Sequence, residues 1–202
     1  MPGCAKLSDP LASVLGMDLN AFWALVESSG AETSGRDERL RRLTAALAAL
    51  PRQEVAEFAV WLDRARRRVD TWAHWQAADV ICGGLCSDDG FFYFQAWLVG
   101  QGRAVFEAVA ASPDALADVP HVRVLASRGG VHAWADDEWP DWEDLDHVAD
   151  EVFEGGLDEE LARRGVWLLT APEPAGEQWD FADPAEISAR VPRLGALFGK
   201  VA

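Results

Sequence analysis

From residue 18 onward the apolar positions recur at three- and four-residue spacings, the period of an amphipathic α-helix. Leu19, Phe22, Trp23 and Val26 form the first stripe, with Asp18 placed to cap it and Gly30 to end it. After a Ser/Gly/Thr loop over 28–35, Leu40, Leu43, Leu47 and Leu50 form the second, and Pro51 breaks it while opening the next helix at a favoured first-turn position. Val55, Phe58, Leu62, Val69, Trp72 and Trp75 carry the third pattern toward Ile81. A helix of that length predicts a kink near Asp70, and Gly83–Gly84 stops it. Ser87 opens another helix, with Asp88 and Asp89 in its first turn and Phe91, Phe94, Trp97 and Leu98 on one face. That pattern runs through Gly100 and Gly102 to about Ala111. Ser112, Pro113 and Asp114 then signal a short helix over 113–118.

No period-two alternation occurs before residue 120, so that half reads as helical. Beyond it, residues 121–125 and 166–170 read as short extended pieces. Residues 141–154 carry a helical pattern on Trp142, Leu145, Val148, Val152 and Phe153, closed by Gly155–Gly156. Residues 172–183 read as a loop, and 184–198 as a last helix interrupted at Pro192. The expectation is a mostly α, single-domain fold. It comprises a flexible tail over 1–16, a helical core over 17–120, and an acidic, mixed and loop-rich part over 121–199.

The first sixteen residues lack the charged start and apolar middle of a secretory signal, and Met17 stands as an alternative start. No apolar run approaches the roughly 20 residues of a membrane-spanning helix. A cytoplasmic protein is expected, with no membrane partner. Eighteen Lys and Arg against 34 Asp and Glu give a formal net charge of −16, which argues against sequence-independent binding to nucleic acid. The charge is also partitioned. Residues 136–160 hold thirteen acids and no Lys or Arg, whereas residues 36–68 hold nine arginines against five acids. Three readings stand: a solvated acidic face with local Arg pairing, an acidic segment packed on the Arg-rich helices, or an acidic, tryptophan-bearing surface for a basic partner.

Chemistry-bearing residues are densest between Trp72 and Gly102. Trp72, His74, Trp75, Ala77, Ala78 and Asp79 precede the run Gly83–Gly84–Leu85–Cys86–Ser87–Asp88–Asp89–Gly90–Phe91–Phe92–Tyr93–Phe94–Gln95–Ala96–Trp97–Leu98, which closes on Gly102. Ser87 can accept a backbone N–H of the first helical turn. Asp88 and Asp89 sit where the helix dipole favours anions, by roughly 0.3–1 kcal/mol each. The same residues also make a polar site beside aromatics, with His74, Asp79, Cys86, Ser87, Asp88, Asp89, Gln95 and Trp97 as its candidates. A nucleophilic Cys86 or Ser87 would need a base, and an antiparallel hairpin can bring His74 toward it, with Asp88 as a third member. A metal would want three or more converging oxygens, and Asp79 is the only extra carboxylate in register, so neither metal nor cofactor is expected. Cys82 and Cys86 are four apart, with too few further ligands for zinc.

This segment resembles the bacterial domain of unknown function 4240 family. Its pattern places Gly-Gly-Cys-Ser-Asp-Asp before Phe and Trp-Leu, then Pro-Asp-x-Leu-Ala, matched here by Pro113, Asp114, Leu116 and Ala117. The Phe22–Trp23 helix and Trp179, Asp180, Pro192 and Leu194 extend the resemblance over about residues 17–199. Three positions depart from it: Gln95 stands where the family pattern has Arg, Leu85 is inserted between the glycines and Cys86, and Asp79 replaces an aromatic. If the family Arg pairs with a carboxylate of the Ser-Asp-Asp block, that pair is missing here. The resemblance implies a fold neighbourhood and no activity. The expected function is therefore a non-catalytic interaction or regulatory module with a basic protein partner. A small enzyme at the Cys86–Ser87–Asp88–Asp89 turn is the first alternative, and a polyanion mimic that occupies a basic groove is the second.

Overall fold

A computed structural model describes residues 16–30 and 35–199, so the expected flexible tail, save Gly16, lies outside the described residues, as do Cys4 and much of the 28–35 loop. The chain folds as helices α1 (Leu19–Ser29), α2 (Arg36–Ala48), α3 (Arg52–Val69), α4 (Trp72–Ile81), α5 (Asp88–Gly100), α6 (Arg103–Ala111), α7 (Pro120–Ser127), α8 (Glu143–Phe153), α9 (Leu157–Arg163), α10 (Pro184–Arg190) and α11 (Pro192–Leu197). A 3-10 turn spans Pro113–Asp118, as the Ser-Pro-Asp signal predicts. No strand occurs among the described residues; the nearest approach is one isolated parallel bridge between Thr71 and Ala175. The fold is mostly α, as expected.

The caps follow local chemistry. Asp18 Oδ1 accepts from Ala21 N at 2.8 Å and starts α1, and Ser87 Oγ accepts from Gly90 N at 3.0 Å and starts α5. The predicted kink near Asp70 is a full break. Asp70 leaves the helical region at ψ 74°, and Thr71, in extended conformation, caps α4 by accepting from His74 N. The reason lies far along the chain: Asp70 O accepts from Ala175 N at 2.9 Å, and Trp72 N donates to Ala175 O at 3.2 Å. The pattern read as one helix from Ser87 to about Ala111 is likewise two. Gly102 at φ 88° turns the chain between them, a conformation that costs a non-glycine residue strain.

The second half departs further from expectation. Residues 121–125 are helical, not extended: Pro120 supplies the first turn of α7, and Val122 and Leu125 are fully buried at helical spacing. Helix α8 ends one residue before the glycine pair, on Glu154 at φ 57°. Residues 166–170 form a non-helical strap whose backbone groups bond to α3 side chains, not to a sheet.

One core runs through the molecule, with Phe22, Trp23, Phe58, Phe91, Phe94 and Phe106 all but inaccessible. Each such side chain contributes roughly 1.5–3 kcal/mol through burial. Helix α8 packs chiefly on α2, α3 and α5. The acidic segment thus lies on the Arg-rich helices, through the ion pairs Arg36–Asp141 and Arg66–Asp146 and through Arg52, which donates to Phe153 O at 2.5 Å. The approach is close. A Cβ on Gly100 would lie 2.6 Å from the buried Trp142 ring, so only glycine fits where α5 passes the start of α8.

Candidate functional site

The turn between α4 and α5 is built as the sequence implies at its centre. Gly83 and Gly84, at φ 68° and 89°, reverse the chain, and Trp75 stacks on Phe91 at 5.0 Å with 10° between the ring planes. Phe94 then meets Trp97, whose ring also contacts His121 at 5.7 Å. Asp79 Oδ1 accepts from Cys86 N at 3.3 Å, and Trp75 Nε1 donates to Cys86 O at 3.0 Å, so Asp79, Cys86 and Ser87 lie together. Asp88 and Asp89 are exposed in the first turn of α5.

His74 and Gln95 do not join them. His74 sits in the first turn of α4, buried, with both ring nitrogens engaged: Nε2 meets Val109 O at 3.0 Å and Nδ1 meets Thr71 Oγ1 at 2.7 Å. Because a carbonyl only accepts, Nε2 carries the hydrogen and Nδ1 accepts from the Thr71 hydroxyl, which fixes the neutral tautomer. Gln95 is fully buried and donates from Nε2 to Asp70 Oδ1 at 3.0 Å. Position 95 therefore faces Asp70 in this chain, not the Ser-Asp-Asp block. Trp97 belongs to the core.

Asp89 belongs to a different feature. A cleft of about 320 Å³ opens between α3, α5, α8 and the 168–170 strap. Five aspartates line it (Asp63, Asp89, Asp146, Asp150 and Asp158) against one guanidinium, Arg66, with His147 at its wall and Phe92 and Tyr93 as aromatic lining. Arg66 is only 2% exposed. It pairs with Asp146, donates to Phe92 O at 3.2 Å, and stacks 3.4 Å over the Phe92 ring. Burial pulls its pKa down, against the attraction of Asp146, Asp63 and Asp70. Burial likewise pushes the Asp146 carboxyl above the ordinary carboxylate range, although Arg66 opposes it. Their direct contact holds both in the charged form, because either one alone would be an unpaired buried charge.

Asp63 is occupied structurally, accepting from Arg67 Nε and from Leu169 N, both at 2.7 Å. Asp89, Asp150 and Asp158 are exposed and form no ion pair among the described residues. The field of Asp89 is felt at Tyr93. The Tyr93 phenol is held above its ordinary pKa by burial first, then by the hydrogen bond to Glu143 Oε1 at 3.1 Å and the charges of Glu143, Asp89 and Asp146. Among the described residues no group of three or more His, Cys, Asp or Glu converges as a metal site.

Apart from Asp89, the lining was not foreseen from sequence. The available signal was Asp63, Arg66 and Asp70, at i, i+3 and i+7 on the α3 face that also carries Leu62 and Val69. Polar residues on a core-facing stripe imply a partner brought by the fold.

Fold and cleft together define an all-helical domain with a recessed acidic site. The chain belongs to the family described as Protein of unknown function (DUF4240), whose sequence model matches residues 17–155. The matched span holds the α4–α5 turn and most of the cleft, while the strap and the Trp179 region lie beyond it. No curated protein and no solved structure matches the chain. Among the described residues no helix is long and apolar enough to cross a membrane.

Proposed function

We propose that this protein is a cytoplasmic, non-catalytic interaction module that receives a basic side chain of a protein partner in the cleft between α3, α5 and α8. The observation that carries the proposal is the set of exposed carboxylates without ion pairs, Asp89, Asp150 and Asp158, around a recess lined by Tyr93 and Phe92. Unpaired like charges at one mouth repel each other, and a cation bound between them relieves that repulsion. A guanidinium also finds aromatic faces to lie on, as Arg66 already does on Phe92. The bonds on Ser87 Oγ and on both nitrogens of His74 favour this reading over an enzyme at the Ser-Asp-Asp turn, because those groups serve the fold. The polyanion-mimic alternative differs in needing the whole exposed acidic face, not the recess.

The test is titration of the full chain with argininamide, beside its neutral isostere citrullinamide, followed by amide and indole NMR shifts. Argininamide should shift resonances around Tyr93 and α8 saturably and more strongly at low salt, and citrullinamide should not. Asp150→Asn and Asp158→Asn should each weaken binding by roughly two- to fivefold, the worth of an exposed charge pair. Each should leave stability within about 0.5 kcal/mol of the parent. Equal responses to the two probes, or no effect of either substitution, overturn the proposal. Shifts spread evenly over 136–160 would favour the polyanion mimic.

A further inference from the structure

The strap that follows α9 separates two recesses on α3. Leu168, Leu169 and Thr170 wall the acidic cleft, and Val166 lines a second recess of about 500 Å³ together with Met17, Val60 and Trp61. The ionisable lining of that second recess is balanced, Asp18 and Glu57 against Arg64 and Arg164, so it draws no net charge where the cleft draws a cation. Between the residues that line the two recesses stands Trp167, 71% exposed and the most exposed large apolar side chain among the described residues. Its backbone is nevertheless pinned on both sides. Val166 N donates to Leu161 O at 2.9 Å, Arg67 Nη2 donates to Trp167 O at 3.0 Å, and Leu169 N donates to Asp63 Oδ1 at 2.7 Å. Asp63 lines the cleft and also takes Arg67 Nε at 2.7 Å, so one ion pair anchors both the cleft wall and the Trp167 backbone. The indole is presented to solvent from a fixed backbone, where docking costs little further conformational entropy.

We infer, on the reading that the cleft seats a basic side chain, that the partner segment carries an apolar residue within a few positions of its basic one, and that this apolar residue packs on Trp167 and into the recess beyond the strap. Charge fixes the order. The cation belongs at the end where Asp89, Asp150 and Asp158 stand without ion pairs. At the Trp167 end a second cation would meet the Arg67 guanidinium, which holds the Trp167 carbonyl, and the exposed Arg64, which lies 4.8 Å over the Trp61 ring. An apolar side chain meets no such repulsion there, and it removes both its own surface and indole surface from water. The Trp61 Nε1 is already spent on Met17 O at 2.9 Å, so that ring offers the recess only its apolar surface. A rigidly held tryptophan beside a recess that can be desolvated is the composition of an interface hot spot.

The test compares two blocked peptides on the full chain, with argininamide as the probe that reaches the cleft alone. One peptide is acetyl-Leu-Ser-Leu-Gly-Arg-Gly-Leu-Ser-Leu-amide, and in the other every Leu is Ser. Calorimetry gives the affinities, and the Trp167 indole resonance is identified by its loss in Trp167→Ala. The leucine peptide should bind roughly tenfold more tightly than the serine peptide and shift the Trp167 indole. Trp167→Ala should cut that advantage to less than about threefold. Argininamide affinity and the thermal midpoint should stay as in the parent, because the side chain removed is exposed and lies outside the cleft. Argininamide binding without any preference for the leucine peptide overturns the inference and leaves the cleft reading standing, whereas no binding of any of the three probes removes both. A preference that survives Trp167→Ala puts the apolar contact elsewhere and overturns the inference. So does a Trp167 indole that shifts as the protein alone is concentrated, with a dimer in sedimentation, since a second copy would then cover it.

Discussion

His74 makes the fold sensitive to acid at a single imidazole. Its neutral form donates to Val109 O and accepts from Thr71, and burial pulls its pKa below the ordinary 6.5 although the Val109 bond opposes the fall. The folded chain therefore takes up this proton later than the unfolded chain. The stability involved is fully present above about pH 6.5 and is lost as pH falls below it, by at most roughly 1.4 kcal/mol per unit of pKa separation. Urea midpoints should fall between about pH 7 and about pH 5.5, and His74→Gln should flatten that slope. A parent with no slope in that window would show the imidazole to be unburdened. The carboxylates held below their ordinary range, such as Glu107 beside Arg68 and Glu138 bonded to Ala135 N, act in a lower window. Their contribution is present above the unfolded carboxylate pKa and lost as pH falls through the folded one. At this scale the chain alone misdirects: His74 lies twelve residues before Cys86 and looks like its base, yet its partners come from Thr71 and from α6.

Among the elements, α5 shows the clearest local encoding. Ser87, Asp88 and Asp89 are the start of a helix before they are anything else, and the bond from Gly90 N to Ser87 Oγ confirms the cap. Ser87→Ala should cost about 1 kcal/mol in thermal unfolding, within the roughly 0.5–2 kcal/mol range of such caps. Asp88→Asn should cost about 0.3–1 kcal/mol at low salt and less at high salt, because the dipole interaction is screened. A Ser87→Ala variant as stable as the parent would mean that the hydroxyl is retained for some other purpose. The division of α3 from α4 was legible only as a kink. The apolar stripe is continuous across residues 69–72, so periodicity alone favours one helix. What breaks it is Ala175, more than a hundred residues on, bonding to Asp70 O and Trp72 N. Helix α7 was hidden for a related reason: residues 121–125 include three β-branched or aromatic-like positions in a short window, but their packing follows the helical spacing of Val122 and Leu125.

Across the whole molecule, the buried carboxylates of Asp63 in α3 and of Asp70 just past its end hold the strap that walls the cleft and its continuation to Glu173. Asp63 Oδ1 accepts from Leu169 N at 2.7 Å, and Asp70 Oδ2 accepts from Glu173 N at 2.8 Å while Oδ1 takes the Gln95 amide. Asp70→Ala would leave both donors without an acceptor, at a cost of about 2–4 kcal/mol. Hydrogen exchange should quicken at Glu173 and its neighbours while Leu169, anchored by Asp63, stays protected. Equal acceleration over the whole chain would show that the strap has no separate anchor.

Helical class, most element starts and the aromatic centre of the α4–α5 turn follow from periods, caps and glycines, which act within a few residues and are therefore written locally. Charge partition left open whether the acids would stay solvated, pack on the Arg-rich helices or face a partner. Which of them met was decided by tertiary packing: α8 laid Asp146 on Arg66, and the strap took Asp63 and Asp70. That docking left Asp89, Asp150 and Asp158 unpaired around one recess. Whether a carboxylate is neutralised depends on which cation lies within a few ångströms, and only the folded chain fixes those distances.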